Sequence, residues 1–149
     1  MTDDRLVFRT AHFFAEQSAE CVLPGYLVLR MNEPVDGFAA LAPAQAADRG
    51  RALSLAGRAI EEVVRPERVY VCRFGELLAA VHFHLFPRTA WVLEHYRRAH
   101  PGETVSGPVL FEWARTRYGT AALPPDPGLD AAATPARLRD FAARELAAG

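Results

Sequence analysis

Two histidines, His82 and His84, stand two residues apart in the apolar run AAVHFHLFPRT (residues 79–89), which ends in Pro87-Arg88 before Thr89. On an extended strand this spacing puts both imidazoles on one face, side by side. Three chemistries fit such a pair. One imidazole nitrogen attacks phosphorus while its neighbour hydrogen-bonds the phosphate. Alternatively, both rings ligate a metal, or the pair is polar surface without chemistry. Spacing alone does not choose among them. Val81, Phe83 and Leu85 alternate with the histidines, so one face of the strand is apolar and predicted to pack on the core. Ala80, His82 and His84 then face the other way.

The elements that must hold this strand are legible along the chain. Residues 12–20 (HFFAEQSAE) and 21–32 (CVLPGYLVLRMN) read as two extended segments of a hairpin around Pro24-Gly25. Proline presets one turn position there and glycine accepts positive φ at the next. An irregular connection follows. From Pro43, Leu53, Ala56, Ile60 and Val63/Val64 recur at three to four residues, with charged residues mostly on other faces. This is an amphipathic helix stopped by Pro66. RVYVCRF (68–74) reads as a third strand, Gly75 breaks it, and LLAAVHFHLFP (77–87) forms a fourth. Beyond it, 93–100 has a charged helical pattern and 107–119 reads as a short helix. Residues 121–134 read as a proline-rich tether. The last helix starts with Thr134 as N-cap and Pro135 at its first position.

Composition narrows the function classes. The 149 residues are 50% hydrophobic and 23% charged, with a formal net charge of −1. That is globular composition, long enough for a real core. Neither nucleic acid nor an anionic membrane is expected as a partner. No apolar run reaches membrane-spanning length, and the acidic opening MTDDRLVFRT does not read as a signal peptide, so a cytoplasmic location is expected. Cys21 and Cys72 are isolated and read as small buried hydrophobes. His12 reads as a strand-end polar group, His95 and His100 as solvated surface, and Trp91 and Trp113 as packing anchors. A zinc site would need Cys72 with His95 or His100 besides His82 and His84, without supporting spacing. No metal and no cofactor are expected.

The segment VHFHLFPR resembles the signature of the histidine triad superfamily, a histidine–hydrophobic–histidine–hydrophobic–histidine strand often followed by Pro-Arg. The order of hairpin, linker, amphipathic helix, strand, glycine and histidine strand agrees from residue 12 to residue 90. Residues 91–149 form a C-terminal extension of the same single domain. The resemblance implies an α+β fold: an antiparallel sheet of about five strands, one long packed helix and a helical extension. It also implies a two-fold dimer with sheets joined across the subunits. His82 falls at the catalytic middle histidine, which attacks the α-phosphorus of a nucleoside phosphate to form a nucleotidyl-histidine that water hydrolyses. His84 falls at the third histidine, which contacts phosphate or leaving group.

The pattern is also broken in places. Ala80 replaces the first histidine, although its carbonyl remains to orient His82. Tyr26 replaces the histidine of the hairpin's Pro-Gly-His. The segment before the triad reads GELL (75–78), with Glu76 and Leu77 where the family carries an amide and a hydroxyl. A carboxylate beside a phosphate needs an offsetting cation, and Arg73 and Arg88 are the candidates. The ribose contact maps near Ser18 or Gln17. The resemblance therefore implies a nucleotide phosphohydrolase or phosphoramidase with catalytic His82 and His84. Ser18, Tyr26, Arg73, Glu76 and Arg88 are its candidate substrate-binding residues. The alternative is a nucleotide- or phosphate-binding protein that keeps the fold and turns over slowly.

Overall fold

The computed structural model describes residues 4–119 and 126–149. Five strands form one antiparallel sheet: β1 (Leu6–Arg9), β2 (Phe13–Gln17), β3 (Leu27–Met31), β4 (Arg68–Cys72) and β5 (His82–Arg88). Their spatial order is β1-β2-β3-β5-β4. The long helix α1 (Pro43–Val64) carries the chain from β3 to the far edge of the sheet, and β5 returns between β3 and β4. The histidine strand is thus interior, one strand in from the edge, with Val28 and Cys72 flanking His84 and Arg30 beside His82. Pro87 is tolerated in it because β3 pairs only as far as Leu85, so no ladder bond is lost on that side.

Alternation along the strands gives the sheet two apolar faces. On one, Phe13, Ala15, Leu27, Leu29, Val81, Phe83 and Leu85 meet α1. Ala52, Ala56 and Ala59 of α1 are fully buried there, and these small side chains let the helix axis approach the sheet closely. The expected stripe is slightly rotated: Leu55 is buried, whereas Leu53 is only partly so. The helix ends at Arg65, in the left-handed region at φ 54°, one residue before Pro66.

The C-terminal residues complete both layers. The helix α4 (Thr134–Ala148) packs against α1 and β1, burying Leu138 and Ala142 in the same core. Helices α2 (Ala90–Ala99) and α3 (Gly107–Arg117) cover the opposite face with Val92, Leu93, Tyr96, Leu110, Phe111 and Ala114. Trp91 and Trp113 pack at the margin of this second core, against Tyr118.

Several expectations are corrected. Leu6–Arg9 forms a strand where the sequence showed only an acidic N-terminus, because its apolar pair Val7 and Phe8 is buried by α4 and α1. The hairpin strands stop at Gln17 and resume at Leu27, so Cys21 lies in the connection, yet it is fully buried. The fourth strand begins at His82; residues 77–79 lie outside it, while Ala80 makes an isolated bridge to Asp36. Thr134 is inside the last helix, its hydroxyl donating to the Asp130 carbonyl at 2.6 Å, and the Asp130 carboxylate accepts from the amides of Ala132 and Ala133. Of the expected tether, 121–125 lie outside the described residues, and 126–133 form turns. His95 and His100 are half-buried, His95 tilted against Trp91 and His100 stacked on Tyr96, with Nδ1 donating to the Trp91 and Tyr96 carbonyls respectively.

Candidate active site

A cleft of about 380 Å³ opens over the centre of the sheet, lined by His82 and His84 from β5 and by Val28 and Arg30 from β3. The β2–β3 connection adds Ser18, Ala19 and Glu20. The loop after β4 adds Phe74 to Leu78, and α3 adds Glu112 and Arg115.

His82 is buried, and its Nδ1 donates to the carbonyl of Ala80 at 2.8 Å. That carbonyl is held in place because Ala80 bridges to Asp36 and the Val81 amide donates to the Val35 carbonyl at 2.8 Å. A proton on Nδ1 leaves the lone pair on Nε2, which is the nucleophilic tautomer. A methyl group in place of a first histidine therefore costs the orientation of His82 nothing, because the backbone performs it.

His84 is held from behind. Tyr26, fully buried, places its hydroxyl 2.8 Å from His84 Nδ1. Burial pushes the Tyr26 phenol well above its ordinary range, so it stays protonated and donates to Nδ1. The reverse assignment would leave the buried hydroxyl proton without an acceptor. His84 then carries its own proton on Nε2, a neutral hydrogen-bond donor. Burial, the Arg115 guanidinium and His82 together push His84 down to about 4. The two rings stand edge-on, centroids 5.2 Å apart and planes at 79°. One ring is set as acceptor and the other as donor.

The sign of this shift has a consequence for stability. The folded value of His84 lies below the ordinary 6.5, so the unfolded chain binds the extra proton first as pH falls. The contribution is complete above about pH 6.5 and is lost progressively as pH falls to about 4. We expect the His84 Cε1–H resonance to titrate near the lower value and the denaturation midpoint to fall across that window. Tracking both by NMR and urea titration checks it; an inflection of His84 at its ordinary value would refute the assignment.

The remaining candidate residues divide. Ser18 lines the cleft, its hydroxyl accepting from the Glu20 amide at 3.3 Å. Glu76 and Leu77 sit on the exposed rim, and the Leu77 side chain is fully exposed. Tyr26 acts through His84 and is not among the lining residues. Neither Arg73 nor Arg88 lines the cleft. Arg73 folds back over its own loop, Nη2 donating to the Ala79 carbonyl at 2.7 Å and the guanidinium lying 5.4 Å from the Phe38 ring centroid. Arg88 is at the far end of β5, 3.5 Å from Glu67. Gln17 braces the turn, donating to the Leu23 carbonyl and accepting from the Gly25 amide.

Sequence reasoning missed Glu20, Arg30, Glu112 and Arg115. Arg30 pairs with Glu16 at 2.8 Å and Arg115 with Glu20 at 2.6 Å. For Arg30 a signal existed, since strand alternation puts Val28 and Arg30 on the histidine face. Arg115 and Glu20 are 95 residues apart in the chain, and nothing local connects them. Among the described residues, no group of three or more His, Cys, Asp or Glu could hold a metal ion. Both cysteines are free, and burial raises both thiols. No described helix is long and apolar enough to cross a membrane.

An interior antiparallel strand presenting His82 and His84 to a cleft, with a long helix behind it, is the histidine triad architecture, and this chain has that fold. It is similar to a hypothetical histidine triad nucleotide-binding protein from Sulfolobus tokodaii strain 7, with TM-score 0.60 and 10% identity over 94% of this chain and 84% of that one. A zinc-bound histidine triad family protein from Mycobacterium smegmatis gives 0.59 and 14% over 97% and 87%. A Plasmodium falciparum diadenosine triphosphate hydrolase gives 0.54 and 13% over 78% and 75%. No family model and no curated protein sequence matches the chain.

Proposed function

We propose that this protein hydrolyses the α-phosphate linkage of a nucleoside phosphate through a nucleotidyl-His82 intermediate. The observation that carries the reading is the His82 tautomer, with Nδ1–H fixed on the Ala80 carbonyl and the Nε2 lone pair left for phosphorus. In the first step Nε2 bonds to phosphorus and the leaving group departs with the electrons of the broken bond, taking up a proton. In the second, the oxygen of water bonds to phosphorus, the N–P bond breaks, and water's proton passes to solvent. His84 Nε2–H donates to a phosphoryl oxygen or to the departing atom in both steps. The fold similarity to a nucleotide-binding protein and a dinucleotide hydrolase supports the substrate class.

The charge of the cleft argues for a particular leaving group. Two guanidinium groups, Arg30 and Arg115, face three carboxylates, Glu20, Glu76 and Glu112. A polyphosphate would bring several negative charges against that rim, whereas a phosphoramidate brings a single charge and an amine that leaves as a cation. Adenosine 5′-phosphoramidate is expected to be turned over at least about tenfold faster than a diadenosine polyphosphate at equal concentration. Intact-protein mass spectrometry, with chromatography of released monophosphate, reads both the adduct and the preference. Nucleotide binding with neither adduct nor release would instead make this a nucleotide-binding protein.

The same reading includes a two-fold dimer through β4, an edge of the sheet, where Val71 and Phe74 are about half exposed or more. Light scattering after size exclusion is expected to give twice the chain mass, and Val71→Asp to give the monomer. A wild-type monomer at tens of micromolar would count against it.

A further inference from the structure

The helix α3 brings a second guanidinium into the histidine cleft, besides that of Arg30 on β3. Arg115 Nη2 lies 2.6 Å from Glu20 Oε2, and Nη1 lies 3.7 Å from Glu112 Oε2. Its Nε is buried without a hydrogen-bond partner. One turn earlier on the same helix, the Phe111 ring supports the guanidinium, 5.5 Å from ring centroid to Cζ. Phe111 also meets the His84 ring at 5.8 Å, so one aromatic side chain touches both the cation and the donor histidine. The positive field of Arg115 at His84 agrees with that proximity.

The competing cations are engaged elsewhere. Arg30 is paired at 2.8 Å with Glu16, a carboxylate only 11% exposed that also meets Arg5 at 3.8 Å. Arg73 is folded over its loop, and Arg88 sits at the far end of β5. The partner of Arg115 differs from that of Arg30, because the Glu20 side chain is 68% exposed and the Arg115 side chain 26%. Glu20 can swing into water without a large change in its hydration, while Arg115 stays braced by Phe111. A phosphoryl group offers two oxygens in the fork geometry a guanidinium prefers, and it carries more charge density than the carboxylate it displaces.

We propose that Arg115 is the phosphate-holding cation of this cleft, that Glu20 is its resting counter-ion, and that an entering phosphoryl group takes Glu20's place. This rests on the reading of the cleft as a nucleoside phosphate site. Glu20 also acts as a filter, since a ligand must carry an anionic group to displace it.

Calorimetric titration of wild type, Arg115→Ala, Arg115→Lys and Glu20→Gln with adenosine 5′-monophosphate, inorganic phosphate and adenosine tests the proposal, with turnover measured alongside. Arg115→Ala is expected to weaken monophosphate binding at least about tenfold, with Arg115→Lys intermediate. Glu20→Gln is expected to tighten it by about threefold or more, since the neutral amide no longer competes. Adenosine affinity should be the same in all four proteins, which a merely structural role for Arg115 would not give. Glu20→Gln and Arg115→Lys decide the matter should Arg115→Ala fold poorly. Unchanged monophosphate affinity in both Glu20→Gln and Arg115→Lys, or equal losses for adenosine, would overturn the proposal. A His82 adduct that forms with these affinities unchanged would overturn it and leave the hydrolase reading standing. Phosphate binding that depends on Arg115 without any adduct would do the reverse. Wild type that binds neither phosphate nor the monophosphate would remove both.

Discussion

His82→Ala is expected to abolish monophosphate release, lowering kcat by about 10⁴-fold or more, with no nucleotidyl adduct in the mass spectrum. The size follows from the lack of a substitute nucleophile nearby. His84 stands beside His82, but its Nδ1 accepts from Tyr26 and its Nε2 carries the proton, so neither nitrogen offers a free lone pair. Cys72 is paired opposite His84 in the sheet, and burial keeps its thiol protonated. Ser18 lines the cleft without a base hydrogen-bonded to it among the described residues. Retention of more than about 1% of wild-type turnover would show that His82 is not the covalent centre. The variant should remain folded, because the strand's inward anchors Val81, Phe83 and Leu85 are untouched; a melt by circular dichroism checks this.

Gly25→Ala is expected to destabilise the fold by about 2–4 kcal/mol, the sum of a backbone and a packing cost. Gly25 has φ +81°, a region that L side chains rarely adopt, and a Cβ placed on it would lie 2.4 Å from Val64 Cγ2. Val64 is buried at the end of α1, and its β-branched side chain has little freedom to rotate away. The two costs separate in a double-mutant cycle. In Gly25→Ala/Val64→Ala the collision disappears and the backbone cost remains, so the pair should be at least about 1 kcal/mol less destabilised than the sum of the single variants. Additive effects in urea unfolding would mean that the turn moves away from α1 instead. The cleft is affected as well, since Tyr26, the next residue, is the group that orients His84.

How far the sequence carried this account depends on the range of each interaction. Strand alternation sufficed to put His82 and His84 on one face with Val81, Phe83 and Leu85 on the other, because a period of two is a property of the backbone itself. The helix from Pro43 to Val64 was legible from its apolar recurrence and from Pro66, and the turn at Pro24-Gly25 from residue type. All of these are local. β1 was missed because four residues carry too short a pattern to stand out, and their burial is decided by α4, more than a hundred residues away in the chain. Arg73 and Arg88 were plausible cations by proximity in sequence, but a backbone carbonyl and Glu67 claim them.

By itself, then, the sequence determined the histidine strand and the helix and turn that flank it, since each rests on periodicity or residue type within a few residues. The α+β class followed from the resemblance in the order of those elements. Tertiary structure alone decided that Tyr26, a substituted position, holds His84 as a neutral donor. It also decided that Arg115 meets Glu20 in the cleft, that α2 and α3 cover the second face of the sheet, and that α4 closes the first beside α1. Those outcomes depend on which distant segments the core brings together, and the packing of two apolar faces, not any local pattern, makes that choice.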